Sequence, residues 1–167
     1  MARKVFYSFH YAPDSSRAAM VRNSGIVDGS HSVSDNAWEE VRAGGDPAIQ
    51  RWIDGQMSGR SATVVLIGSK TAGRRWINYE IEKSWRDGKG VVGIYIHKLE
   101  NFQGEQSPKG DNPFSRVTTP GGSRLSTFVK TYDSPYQTSK YTYGYIKDNL
   151  EKWIEEAVTI RQTYRNY

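Results

Sequence analysis

The sequence predicts a three-layer α/β domain, a mostly parallel sheet with helices on both faces. Short β-branched-rich runs, Val64-Val65-Leu66-Ile67 and Val91 to Ile96, are the lengths and composition of buried strands. Segments with apolar residues at helical spacing alternate with them along the chain, and glycines such as Gly88 and Gly90 punctuate the joins. Alternation of this kind builds parallel strands joined by right-handed helical crossovers.

Taken in order, the first strand covers Lys4 to Phe9 and runs into Tyr11-Ala12-Pro13-Asp14-Ser15-Ser16, whose Pro, Asp and Ser start a helix reaching about Asn23. Gly25 closes that helix, Ile26-Val27 reads as a weak second strand, and Asp28 to Asn36 reads as loop. Asp46-Pro47 supplies an N-cap and a first-turn proline for a helix carrying Ile49, Trp52, Ile53 and Met57, ended by Gly55 or Gly59. Strand Ala62 to Ile67, a helix over Arg74 to Arg86 and strand Val91 to Ile96 follow. The stretch from His97 to Arg124 is rich in Gly, Pro, Lys, Asn and Ser, and so long a loop is expected to act as a lid or partner surface. Leu125 to Tyr132 is the expected last strand, and Ile146, Leu150, Trp153, Ile154, Ala157 and Val158 mark a terminal helix at about 141–162.

The chain of 167 residues suits one domain, 1–167, with a sizeable core. It has no cysteine, which removes disulfides, thiolate catalysis and Cys-based metal sites, and fits a reducing, cytoplasmic setting. No targeting segment and no apolar run near the roughly 18 residues needed for a bilayer span is visible. The charge of +5 comes from scattered Lys and Arg, so an anionic ligand fits while nucleic-acid and membrane partners are not expected.

The helix after the Val64–Ile67 strand begins where open α/β sheets place ligands. At about 100° per residue, Ile77, Ile81, Ser84 and Trp85 share one stripe, and Glu80 lies only about 60° from Ile77, at the border of the core face. Glu82 is about 200° round from Glu80 and reads as a solvated charge. Position alone leaves Glu80 either a surface residue paired with a cation or a site carboxylate. An open pocket or a salt bridge in front of it distinguishes the two.

Arg74 and Arg75 stand at the start of this helix, where cations oppose the macrodipole, and neither Asn78 nor Tyr79 four residues on is acidic. Helix-start N–H groups with these guanidinium groups, Ser69 and Lys70 would suit a pyrophosphate; solvated arginines are the alternative. The sequence lacks GxGxxG, Walker A, HExxH and GxSxG patterns, and His10, His31 and His97 show no metal spacing, so no metal or resident cofactor is expected. His10 ends the first strand on the same rim as the Glu80 helix, where it either meets a ligand or caps the strand. Phe9 and Tyr11 beside it offer faces for a flat base, or pack the rim.

Three stretches together, Val5-Phe6-Tyr7-Ser8-Phe9-His10-Tyr11 with Asp14, Val64 to Ser69, and Trp76-Ile77-Asn78-Tyr79-Glu80, resemble the TIR-domain superfamily. The nearest branch is the bacterial TIR-like one of Thoeris antiphage defence, the ThsB proteins. The resemblance covers roughly residues 3 to 97 and implies a flavodoxin-like, TIR-like fold. Its most specific element is the Trp-x-x-x-Glu spacing after the third core strand, which makes Glu80 the catalytic residue and Trp76 its motif partner. It places Ser8, Phe9, His10, Tyr11 and Asp14 in the pocket wall, to which the reading above adds Ser69 and Arg74 as substrate-binding residues.

The resemblance implies that NAD is the substrate, cleaved at the nicotinamide–ribose bond to give a cyclic or conjugated ADP-ribose signal. It further implies a trigger from phage infection and a separate effector that reads the signal, and it allows a homo-oligomer that completes the site. One carboxylate is enough for this chemistry, because the nicotinamide nitrogen is already cationic and leaves neutral, whereas ordinary glycosidases need an acid as well. A non-catalytic TIR-like interaction scaffold is the alternative from another class, and a nucleoside deoxyribosyltransferase-like enzyme is a minor one.

Overall fold

In the computed structural model, which describes residues 3–24, 28–29 and 41–167, five strands form one parallel sheet in the order β2-β1-β3-β4-β5. They are β1 (Lys4–Ser8), β2 (Asp28–Gly29), β3 (Ala62–Ile67), β4 (Gly90–Tyr95) and β5 (Thr131–Tyr132). The helices are α1 (Tyr11–Arg22), α2 (Gly45–Met57), α3 (Arg75–Arg86) and α4 (Ser139–Thr163). This is the α/β three-layer fold expected, with the flavodoxin-like strand order and its reversal between β1 and β3.

Side-chain alternation sorts the core onto two faces of the sheet. Tyr7, Val64, Leu66, Val92 and Ile94 meet Ala18 and Val21 of α1 and Ile146, Leu150, Trp153 and Ile154 of α4. Val65, Ile67, Val91 and Tyr95 meet Ile77, Ile81 and Trp85 of α3. Phe6 packs separately with Ile49, Ile53 and Met57 of α2. Between β1 and β3 the register pairs Val5 with Ala62 and Ser8 with Val65, and Ala62 pairs in turn with Gly90. The carboxyl ends of β1 and β3 therefore lie side by side.

Several boundaries differ from the sequence reading for local reasons. Leu125 to Tyr132 is not one strand: Leu125–Thr127 is a 3₁₀ turn, and only Thr131–Tyr132 pairs with β4. Leu125 and Val129, four residues apart, both bury against the α3 face, and the Val129 N–H donates to the Leu125 carbonyl. Asp46 is not an N-cap; Gly44 caps α2 and Asp46 sits in its first turn. Asp28–Gly29, expected as loop, forms β2 beside Lys4 and Val5. The strand expected at Ile26-Val27, the closing Gly25, His31 and the rest of the loop up to Asn36 lie outside the described residues.

The connection 97–124 is anchored along its length. Phe114 is fully buried and fills the space over Gly93, where a Cβ would stand 2.7 Å from the Phe114 ring. The Ser107 N–H donates to the His97 carbonyl at 2.9 Å, and Thr118 and Arg124 form an antiparallel bridge. Its outer tip is open, with Phe102 89% exposed, as is its end at 120–124.

Candidate active site

Glu80 belongs to the buried stripe of α3, with Ile77, Ile81, Ser84 and Trp85. Two further hydrogen bonds fix the helix there: the Ser84 hydroxyl donates to the Glu80 main-chain carbonyl at 2.6 Å, and Thr63 Oγ1 of β3 lies 2.6 Å from Ser84 Oγ. The Glu80 side chain is 9% exposed and points toward the end of β1. Its Oε2 and the neighbouring Ser8 Oγ have no hydrogen-bond partner among the described residues. Burial pushes the Glu80 carboxyl up to about 8. Glu80 faces a pocket and forms no salt bridge among the described residues. Glu82 is exposed.

That pocket is a cleft of about 1210 Å³ at the carboxyl ends of β1 and β3, the crevice that the strand reversal opens. Phe9, His10, Tyr11, Arg74, Trp76 and Glu80, all expected at the site, line it together with Lys70 and Arg75. Ser8, Asp14 and Ser69 do not reach its surface. Ser8 is buried beside Glu80, Ser69 is half-buried on the turn after β3, and Asp14 is fully buried behind the wall, bonded to Arg17.

The other charges around Glu80 are cationic. Among the described residues, Arg22, Arg42, Lys70, Arg74 and Arg75 line the cleft and Glu80 is its one acid. His10 holds the N-cap position of α1 without a side-chain cap, and its Nδ1 is buried with no partner among the described residues. Burial holds the imidazole below its usual range, and Arg74 and Lys70 lower it further, all three favouring the neutral form of His10. Arg74 is the N-cap of α3 and adds its charge to the positive end of that helix.

The aromatics are arranged on two sides. Phe9 and Tyr11 lie with ring centroids 6.2 Å apart, and the Arg22 guanidinium stands 5.5 Å over Phe9. Trp76 meets Tyr79 edge-on at 5.6 Å, with the Arg75 guanidinium 4.8 Å over its ring. The wall residues that sequence reasoning missed, Arg22, Arg42, Ile49, Trp52 and Gln56, come from the end of α1 and from α2 or just before it. No local motif marks them; only the closure of the sheet edge brings them to the cleft.

A family model described as "Thoeris protein ThsB, TIR-like domain" matches residues 6–101. The chain belongs to the ThsB TIR-like family. The family match runs from β1 past β4 and contains Glu80, Trp76, His10 and the start of α3, while the 102–124 part of the connection and α4 lie beyond it. A curated relative from Bacillus cereus (strain MSX-D12), named "Putative cyclic ADP-D-ribose synthase ThsB1", is 39% identical over 119 residues. The alignment takes in 68% of this ThsB TIR-like chain and 62% of the relative, so less than two thirds of that protein is spanned.

Proposed function

We propose that this chain cleaves the nicotinamide–ribose bond of NAD and passes the ADP-ribosyl group to water or back to a nucleophile, making a signalling nucleotide. The observation that carries the reading is Glu80, a buried carboxylate with an oxygen unpartnered among the described residues, facing a cleft whose other charged lining residues are all cations. That arrangement suits a molecule with one cationic ring and a central pyrophosphate. The name of the Bacillus cereus relative points the same way.

In the reaction, the C–N bond to the ribose breaks and its electron pair stays with nicotinamide, which leaves neutral. Positive charge develops on the ribose carbon and ring oxygen. Glu80, ionised, would stabilise that charge or hold the ribose hydroxyls. Addition of water gives ADP-ribose and a proton; attack by a nitrogen of the adenine gives a cyclic ADP-ribose and a proton. Lys70, Arg74 and the first N–H groups of α3 would hold the pyrophosphate, and neutral His10 adds a hydrogen bond without further charge. Phe9 and Trp76 offer faces for nicotinamide or adenine.

The wider role we infer is that of a cytoplasmic Thoeris component in antiphage defence, whose product activates a separate effector after infection. The catalytic part is tested by incubating the purified chain with NAD and separating the products by mass-resolved chromatography, beside a Glu80→Gln variant. Release of nicotinamide matched by an ADP-ribosyl product, lost in the variant, is expected. NAD turnover that survives Glu80→Gln would overturn the assignment.

A further inference from the structure

Behind the cleft wall lies a buried ion pair that the chemistry above does not use. Asp14 is fully buried and its Oδ1 accepts a hydrogen bond from the Arg17 guanidinium at 3.1 Å. Buried pairs often add little net stability, because desolvation offsets the attraction, so what this one touches matters more than its charge. Arg17 Nε donates to the Leu99 carbonyl and Nη2 to the Glu105 carbonyl, both at 2.7 Å. Both carbonyls belong to the connection that follows β4.

The Asp14 carboxylate is also pressed against Gly68, the first residue after β3. A Cβ on Gly68 would stand 2.0 Å from Asp14 Oδ2, so only glycine fits there. Gly110, farther along the same connection, closes on Gly68 as well: a Cβ on Gly110 would come 2.1 Å from the Gly68 carbonyl oxygen. The Gly68 N–H donates to Thr71 Oγ1 at 2.8 Å, which closes the turn carrying Lys70 and leading to Arg74. The turn is therefore packed against both Asp14 and the connection that Arg17 holds.

We propose that Asp14 and Arg17 are positioning residues, which set the place of the Gly68–Thr71 turn and through it the two cations, Lys70 and Arg74, that meet the anionic part of the substrate. Neither residue touches the ligand. The inference rests on the NAD reading for the identity of that ligand.

The test is a double-mutant cycle read by calorimetric titration of ADP-ribose, which carries the pyrophosphate and needs no turnover. Asp14→Asn keeps the side-chain shape, and Gly68→Ala displaces the same turn without changing any charge; each is made alone and in a Lys70→Ala/Arg74→Ala background. In the parent background either variant is expected to weaken ADP-ribose by about tenfold. With the two cations already gone the same change is expected to cost less than about twofold, since partners acting through one contact are not additive. Thermal unfolding of each variant accompanies the titration, and loss of Tm alone moves both backgrounds equally. Equal weakening in both backgrounds, or full affinity in a folded Gly68→Ala chain, would overturn the positioning role and leave the NAD reading standing. Absence of ADP-ribose binding by the unmutated chain would instead strike the NAD reading, and this inference with it.

Discussion

Arg75 and Asp46 form an ion pair at 2.5 Å that joins the start of α3 to the start of α2, while the guanidinium of Arg74, one residue earlier, has no ion-pair or hydrogen-bond partner among the described residues. The two arginines are neighbours in sequence but differ in what they can offer a ligand. Arg75 is further occupied by the face of Trp76. Arg74→Ala is expected to raise the KM for NAD by about tenfold, the worth of a charge-assisted contact, and Arg75→Ala by less than about twofold. Initial-rate measurements on the two variants separate them.

Glu80→Gln separates function from stability. Loss of the charge is expected to lower NAD turnover by about 10²–10³-fold, the scale of removing one electrostatic stabiliser of a transition state. The same substitution is expected to make the fold more stable at pH 8 by roughly 2–4 kcal/mol, because it replaces a buried acid that ionises at a cost. Urea unfolding of both chains at pH 5 and pH 8 checks this, with the larger difference at pH 8.

The direction of the pH effect follows from the same group. Its folded pKa, about 8, lies above the 4.5 of the unfolded chain, so the folded state binds more protons between those values. Stability attributable to Glu80 is full below about pH 4.5 and is lost as pH rises through about 8. Activity runs the other way: kcat/KM is expected to rise with pH and level off above about 8, since the ionised form is needed. A cationic nicotinamide beside Glu80 favours ionisation, so NAD binding at pH 7 is expected to release protons. Calorimetry in buffers of different ionisation enthalpy measures that release.

Ser84 links the site to the sheet. Its hydroxyl lies between the Glu80 carbonyl and Thr63 Oγ1, all of it buried. Ser84→Ala leaves the Thr63 hydroxyl unpaired and is expected to cost about 1–3 kcal/mol in urea unfolding, whereas Thr63→Val with Ser84→Ala recovers part of that loss.

The sequence made legible what is local or periodic. The β3 strand matches its expected bounds, because a continuous apolar run has one way to be buried on both faces. Glu80 was placed at the core border by helix geometry, and it is buried there. Asp14 was not readable in the same way: its spacing fits a first-turn acid, and only the approach of Gly68 from a distant segment, with Arg17 one turn along α1 tied to the 97–124 connection, accounts for its burial. The final strand was misread because Leu125, Phe128 and Val129 are apolar for a reason other than pairing, namely contact with the α3 face. Arg22, Arg42 and Trp52 reach the cleft through tertiary closure, which leaves no periodic mark.

The most direct test of the central claim is nucleotide profiling by mass spectrometry of phage-infected cells expressing this chain, beside cells with an equal level of the Glu80→Gln variant. Loss of NAD with a new ADP-ribose derivative, both absent in the variant, is the predicted result. Unchanged nucleotides in both strains, with infection confirmed, would contradict it and leave a protein that works through association, with Glu80 a buried structural carboxyl.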